Sequence, residues 1–252
     1  MSPINLTRMS RWSGALYALI FLLAPLGFIV GKMQSYAPGN AAATTTQLLE
    51  NELVFRWGMV AEVGVVLVEL VIAALMYQLF RPVSRSLALG AAITRAVEAA
   101  IQAVNLIPSM IALAAANGVG VYADVSQTTR ETVVLGAMDA YQDMILIWGI
   151  PFALHVAFLG LLVIRSGLVP RLIGWLLMAA SVAYLLDSVF PMVAPAWSGF
   201  SETVVLIAAI PAELAFAVWL IARGVRTERG RARADPAAAP AESRPPVPAS
   251  VR

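Results

Sequence analysis

The chain has 252 residues, with 17 Lys and Arg against 15 Asp and Glu for a formal net charge of +2, yet 60% of it is hydrophobic and only 13% is charged. A water-soluble domain draws about a quarter of its residues from the charged set, so a mean hydropathy of +0.80 excludes that class and makes lipid the solvent. The pI of about 9.2 does not point to nucleic acid, because the basic residues sit in short clusters flanking apolar runs rather than on a helical face interleaved with aromatics. The absence of cysteine removes disulfides, thiol catalysis and every Cys-containing metal motif.

A helix crosses the ~30 Å hydrocarbon core with about 20 predominantly apolar residues, and six tracts meet that requirement. Residues 12–31 carry no charge; 53–80 carry Arg56, Glu62 and Glu69; 86–116 carry Arg95 and Glu98. In the second half, 144–164 hold His155, 172–193 hold Asp187, and 203–222 hold Glu213. The expected fold is therefore all-α, a polytopic bundle of six transmembrane helices over residues 1–225. Small residues at Ser35 and Ala37 give the first tract a signal-peptide alternative, but its 20 uncharged residues exceed the ~7–15 of a usual signal-peptide core, which favours a retained anchor.

Loops are read in the same order. Between the third and fourth tracts, Asp124 to Val134 reads as a short surface helix, and Asp139 with Gln142 has the spacing of a capping box that would start the fourth span. The other loops are short, so consecutive helices should pack as antiparallel neighbours. Residues 226–252, rich in Pro, Ala and Arg, bury too little apolar surface to offset ordering entropy and read as a disordered cytoplasmic tail.

Eleven basic residues (Arg8, Arg11, Arg81, Arg85, Arg165, Arg171, Arg223, Arg226, Arg229, Arg231 and Arg233) fall on one side of this arrangement. Only Lys32, Arg56 and Arg130 fall in the opposite loops. Basic loops stay cytoplasmic, so both termini are expected there.

The stretch Arg81-Pro82-Val83-Ser84-Arg85-Ser86-Leu87-Ala88-Leu89-Gly90, running into Arg95-Ala96-Val97-Glu98, resembles the bacterial membrane family known as domain-of-unknown-function 4386. The block from His155 through Arg165-Ser166-Gly167-Leu168-Val169-Pro170-Arg171 to Tyr184-Leu185-Leu186-Asp187-Ser188 is similar to that family's pattern after its fourth span. Thr94 departs from it, the family usually having Phe there. The resemblance implies a six-span protein of a bacterial plasma membrane and supplies no activity, cofactor or catalytic residue.

The remaining signal lies in the ionisable groups within the tracts, since a charge at mid-span costs ~2.5–3.5 kcal/mol even on insertion scales. Arg95, Glu98, Gln102 and Asn105 stand at i, i+3, i+7 and i+10 and share one helix face. Glu62 and Glu69 share a face of the preceding helix, its neighbour across the 81–85 link. Glu69, Glu98, His155 and Glu213 fall near mid-depth, with Glu62, Asn105 and Asp187 nearer the outside. Five carboxylates then face one permanent cation, Arg95, and one conditional cation, His155. They must be protonated, hydrated or neutralised by a bound cation.

The functional expectation is a non-enzymatic membrane protein whose acidic and His cluster binds or translocates a proton, cation or small molecule. The alternative is a structural or partner-binding component whose polar residues only hold helices in register, each interhelical hydrogen bond contributing ~0.6 kcal/mol; an intramembrane hydrolase ranks behind both. No metal or other cofactor is expected from one His, no Cys and no His-Glu-x-x-His spacing. The expected partners are the lipid bilayer and a small ligand or cation.

The topology is checked by reporter fusions: one after Val225 is expected to read cytoplasmic and one after Thr128 external. The same side for both would exclude three spans between these two points and with them the six-span topology.

Overall fold

The computed structural model describes residues 6–225; the expected tail lies outside the described residues. Every regular element among them is helical, and six helical stretches are long and apolar enough to cross a membrane: Leu6–Ser35, Glu52–Phe80, Arg85–Tyr122, Gln127–Ser166, Arg171–Val193 and Pro195–Ala222. We number them spans 1 to 6. Each packs on its chain neighbour, and span 1 packs on span 6, so the six close into a ring in order.

Prolines break the regularity. Pro108 has no N–H and its ring would meet the Val104 carbonyl; span 3 accordingly divides at Asn105 into Arg85–Val104 and Leu106–Ala116. In span 1 the α-helix ends at Pro25 and continues as a π-helical segment, Leu26–Lys32. Span 6 has a matching π segment, Val205–Ala209, just ahead of Pro211. A π segment widens the helix and turns the residues beyond it to a new face.

Two expectations are corrected. No surface helix ends near Val134 and no helix starts at Asp139; one helix runs unbroken from Gln127 to Ser166, with Ser126 Oγ accepting the Thr129 N–H at 3.3 Å. The buried residues Val134, Ala137, Met138 and Tyr141 recur at i, i+3, i+4 and i+7, an amphipathic stripe that outweighs the capping-box spacing. Asp139 faces away from that stripe and accepts the Tyr36 hydroxyl at 2.6 Å. Burial, then this hydrogen bond, pushes the Tyr36 phenol up to about 12, so it stays a donor near neutrality.

At ~1.5 Å per residue the 40-residue helix is about twice as long as the hydrocarbon is thick. Its first half belongs to a cap at the end of the bundle opposite the arginine clusters. Nor is the connection between spans 1 and 2 a plain loop: it holds the helix Ala41–Glu50, opened by Asn40 accepting from the Ala43 N–H at 3.0 Å. Leu48 of this helix joins Phe55, Leu113, Val134 and Met138 in a small second core.

Spans 1 and 2 meet on glycine. A Cβ on Gly31 would stand 2.7 Å from the Gly58 Cα, and one on Gly27 would stand 2.6 Å from the Glu62 Cγ, so this Gly-x-x-x-Gly pair lets the π segment lie directly over Glu62. Gly58→Ala is expected to destabilise by about 1–3 kcal/mol through overpacking. Gly136→Ala, with open space around its Cα, is expected to gain up to about 1 kcal/mol of helix propensity. Unfolding of the detergent-solubilised protein measures both; equal responses would refute the close helix contact.

Candidate functional site

The ring encloses a cavity of about 380 Å³ to which all six spans contribute side chains. Most of its wall is apolar or aromatic, including Phe21, Phe28, Trp148 and Phe152. The polar members are Glu62, Glu69, Arg95, Gln102 and Glu213, with the phenols of Tyr17, Tyr141 and Tyr184. Five of the nine residues expected from sequence therefore reach one space.

Polar groups form two layers, separated by about the ~10 Å rise from Glu62 to Glu69 along span 2. In the inner layer Arg95 is buried, with Nη1 3.0 Å from Glu98 Oε1 and Nη2 3.8 Å from Glu69 Oε1. Its guanidinium carbon lies 5.5 Å from the Tyr17 ring centroid and 5.3 Å from that of Phe152, within cation–π range. Glu98 stands behind Arg95 and away from the cavity wall. His155 is also behind the wall: Nδ1 is 2.8 Å from the Ala91 carbonyl and Nε2 is 3.4 Å from the Tyr17 hydroxyl. A carbonyl only accepts, so Nδ1 carries the proton and Nε2 accepts from Tyr17. Glu213 accepts the Tyr184 hydroxyl at 2.6 Å and, among the described residues, has no cation within salt-bridge distance.

The outer layer contains the cation that sequence reasoning missed. Lys32, expected in a loop, is fully buried; Nζ donates to Ser109 Oγ at 2.8 Å and stands 3.6 Å from Glu62 Oε1. The rings of Phe55 and Tyr141 lie 4.5 and 5.0 Å away. The π segment turns Lys32 inward, and Gly31 against Gly58 brings its backbone close enough to reach Glu62. The Gly27-x-x-x-Gly31 spacing next to a Lys was the available signal, since a helix end pressed against its neighbour leaves the next residue little water.

Glu62 is well satisfied: Tyr141 donates to Oε1 at 2.8 Å and Gln102 to Oε2 at 3.5 Å. Asn105 lies above this layer and donates to the Tyr141 carbonyl at 3.2 Å. Asp187 does not join either layer; it is half-buried near the outer end of span 5, where it accepts from Ser201 at 3.0 Å.

Lysine beside serine is one arrangement of nucleophile and base, but here both are fully buried, Glu62 holds the ammonium, and neither residue lines the cavity. Among the described residues no three His, Asp or Glu side chains gather as metal ligands. What the site offers is charge and hydrogen-bond acceptors in an aromatic chamber, with four buried carboxylates against two buried cations, Lys32 and Arg95.

Residues 12–224 match the family described as "Domain of unknown function (DUF4386)". An "Uncharacterized protein" of Archaeoglobus fulgidus is 24% identical over 160 residues, covering 64% of this chain and 79% of that relative. No solved structure matches.

Arg95 cannot give up its proton, so its removal strands two carboxylates, whereas removal of Glu98 leaves Arg95 with Glu69. Arg95→Leu is expected to cost about 3–5 kcal/mol, the range for breaking buried pairs, and Glu98→Leu less. The double variant should lose less than the two losses added. Strict additivity in the double-mutant cycle would refute the pairing.

Proposed function

We propose that this chain, which belongs to the DUF4386 family, is a non-catalytic membrane protein that takes up positive charge in its central cavity, as a proton or as a cationic small molecule, and passes or presents it across the bundle. Its setting is a cytoplasmic membrane, with both termini on the cytoplasmic side.

The observation that carries this reading is the charge imbalance around one chamber. A polar core that only held helices in register would be expected to match its charges, because each uncompensated carboxylate in lipid opposes assembly. Here the outer layer is matched, Glu62 to Lys32. Among the described residues the inner layer sets Glu69, Glu98 and Glu213 against Arg95; Glu69 and Glu98 share a side-chain hydrogen bond beside Arg95, which leaves Glu213 as the carboxylate without a charged partner. Those three carboxylates come from spans 2, 3 and 6, and two of them face the cavity.

Charge uptake has an electrical signature. Proteoliposomes adsorbed on a solid-supported membrane and subjected to a pH jump are expected to give a transient current. Glu213→Gln should reduce it by at least half, and the exposed-site variant Glu202→Gln should leave it unchanged. No current above that of empty liposomes, in a protein of normal melting temperature, would overturn the reading in favour of a register-holding core.

A further inference from the structure

The ring is not closed equally along its length. Spans 1 and 6 meet toward the basic end, where a Cβ on Gly14 would stand 2.8 Å from the Ile221 backbone nitrogen and 2.9 Å from the Ala217 carbonyl. One turn further along span 1, Tyr17 makes an edge contact with Phe216 at 5.7 Å. Beyond that contact the two spans become opposite walls of the cavity, Phe21, Phe28 and Ile29 on one side and Val205, Ile210 and Glu213 on the other. Ile29 is 51% exposed, and Phe28 and Val205 are half-buried, so the lips of this seam lie at the surface that faces lipid. Both π segments lie along it.

One carboxylate inside is less fully engaged than the rest. Among the described residues, Glu213 lines the cavity with only the Tyr184 hydroxyl as hydrogen-bond partner. Glu69, 2% exposed, also lines it and shares a side-chain hydrogen bond with Glu98. Around them stand the faces and edges of Tyr17, Phe21, Trp148 and Phe152. Arg95 also lines the cavity, where Glu69 and Glu98 already balance its charge and two rings flank it, although its Nε has no hydrogen-bond partner among the described residues. A purely apolar occupant would leave Glu213 with a single phenol against it. An inorganic cation would want more oxygen ligands than these walls offer.

We propose that the cavity binds an amphipathic amine, a protonated nitrogen on a compact apolar body, which enters from the bilayer through the seam between spans 1 and 6. The nitrogen donates to Glu213, and the body packs among the rings, where cation–π attraction adds to the carboxylate field. A volume of about 380 Å³ lies at the lower end of small-ligand pockets, which fits a compact body and not a whole phospholipid. This rests on the charge-uptake reading and specifies what carries the charge.

The test uses three probes with one body: tritiated adamantylamine, adamantanol and adamantanecarboxylate, measured for saturable binding to the full chain in detergent by scintillation proximity. The amine is expected to saturate, the alcohol to bind at least tenfold more weakly, and the carboxylate not to bind. Glu213→Gln should weaken amine binding at least tenfold and Glu202→Gln should not. Val205→Trp, which narrows the seam without touching either carboxylate, should lower amine binding to a similar degree and provides a second reading if Glu213→Gln unfolds. Equal binding of amine and alcohol, wild-type affinity in Glu213→Gln, or no saturable amine binding would each overturn the proposal. A retained pH-jump current alongside such a failure would place the error in the amine and leave charge uptake standing; loss of both would remove the two readings together.

Discussion

A guanidinium that cannot deprotonate, held inside a helical bundle in lipid, is the constraint on which the rest of this structure depends. Arg95 needs a counter-charge within a few ångströms and as little lipid contact as possible. Glu98 supplies the first from the same helix and Glu69 from the adjacent one, while Tyr17 and Phe152 shield it from spans 1 and 4. Four of the six spans are thus placed by contact with one side chain. The adjoining His155 and Tyr17 then satisfy each other and the Ala91 carbonyl, so the inner layer is bound together by polar contacts that lipid could not replace.

The outer layer solves a similar problem differently. Lysine is more flexible and more strongly hydrated than arginine, and Lys32 is held by a backbone brought close, through Gly27, Gly31 and Gly58, rather than by reaching out from a distant helix. This close approach needs the widened helix after Pro25, and in span 6 a second π segment precedes Pro211. Proline and glycine therefore set the cavity's shape as much as its lining does: they draw span 1 onto span 2 at the cap end, while spans 1 and 6 remain in contact toward the basic end.

Much of this was legible in the sequence because lipid makes two signals strong. Tract length and the near-absence of charge gave all six spans. The i, i+3, i+7 spacing of Arg95, Glu98 and Gln102, with Glu62 and Glu69 on the next helix, gave the polar seam between spans 2 and 3. What escaped was information that resides in three dimensions. Hydropathy assigns any lysine at the end of an apolar run to water and so puts Lys32 in a loop. Asp139 with Gln142 mimicked a helix start because capping spacing is short and common, whereas the longer stripe through Val134 and Tyr141 continues past it. Asp187 shares mid-chain polarity with the others, yet its helix turns it toward Ser201, and no local pattern reports which way a single polar residue on an apolar helix faces.

The distribution of charge between the layers bears on why such a core would exist at all. Buried pairs in soluble proteins can often be exchanged for apolar side chains without loss of stability, and in lipid the incentive to do so is at least as great. A bundle needing only register could keep Lys32 with Glu62 and dispense with Arg95, Glu69, Glu98 and Glu213 together. The inner layer instead retains more acid than base and directs its surplus into a chamber walled by rings and bordered by lipid. With Arg95 fixed and Glu69 hydrogen-bonded to Glu98, Glu213, held by the Tyr184 phenol, is the inner-layer carboxylate with no cation in contact among the described residues.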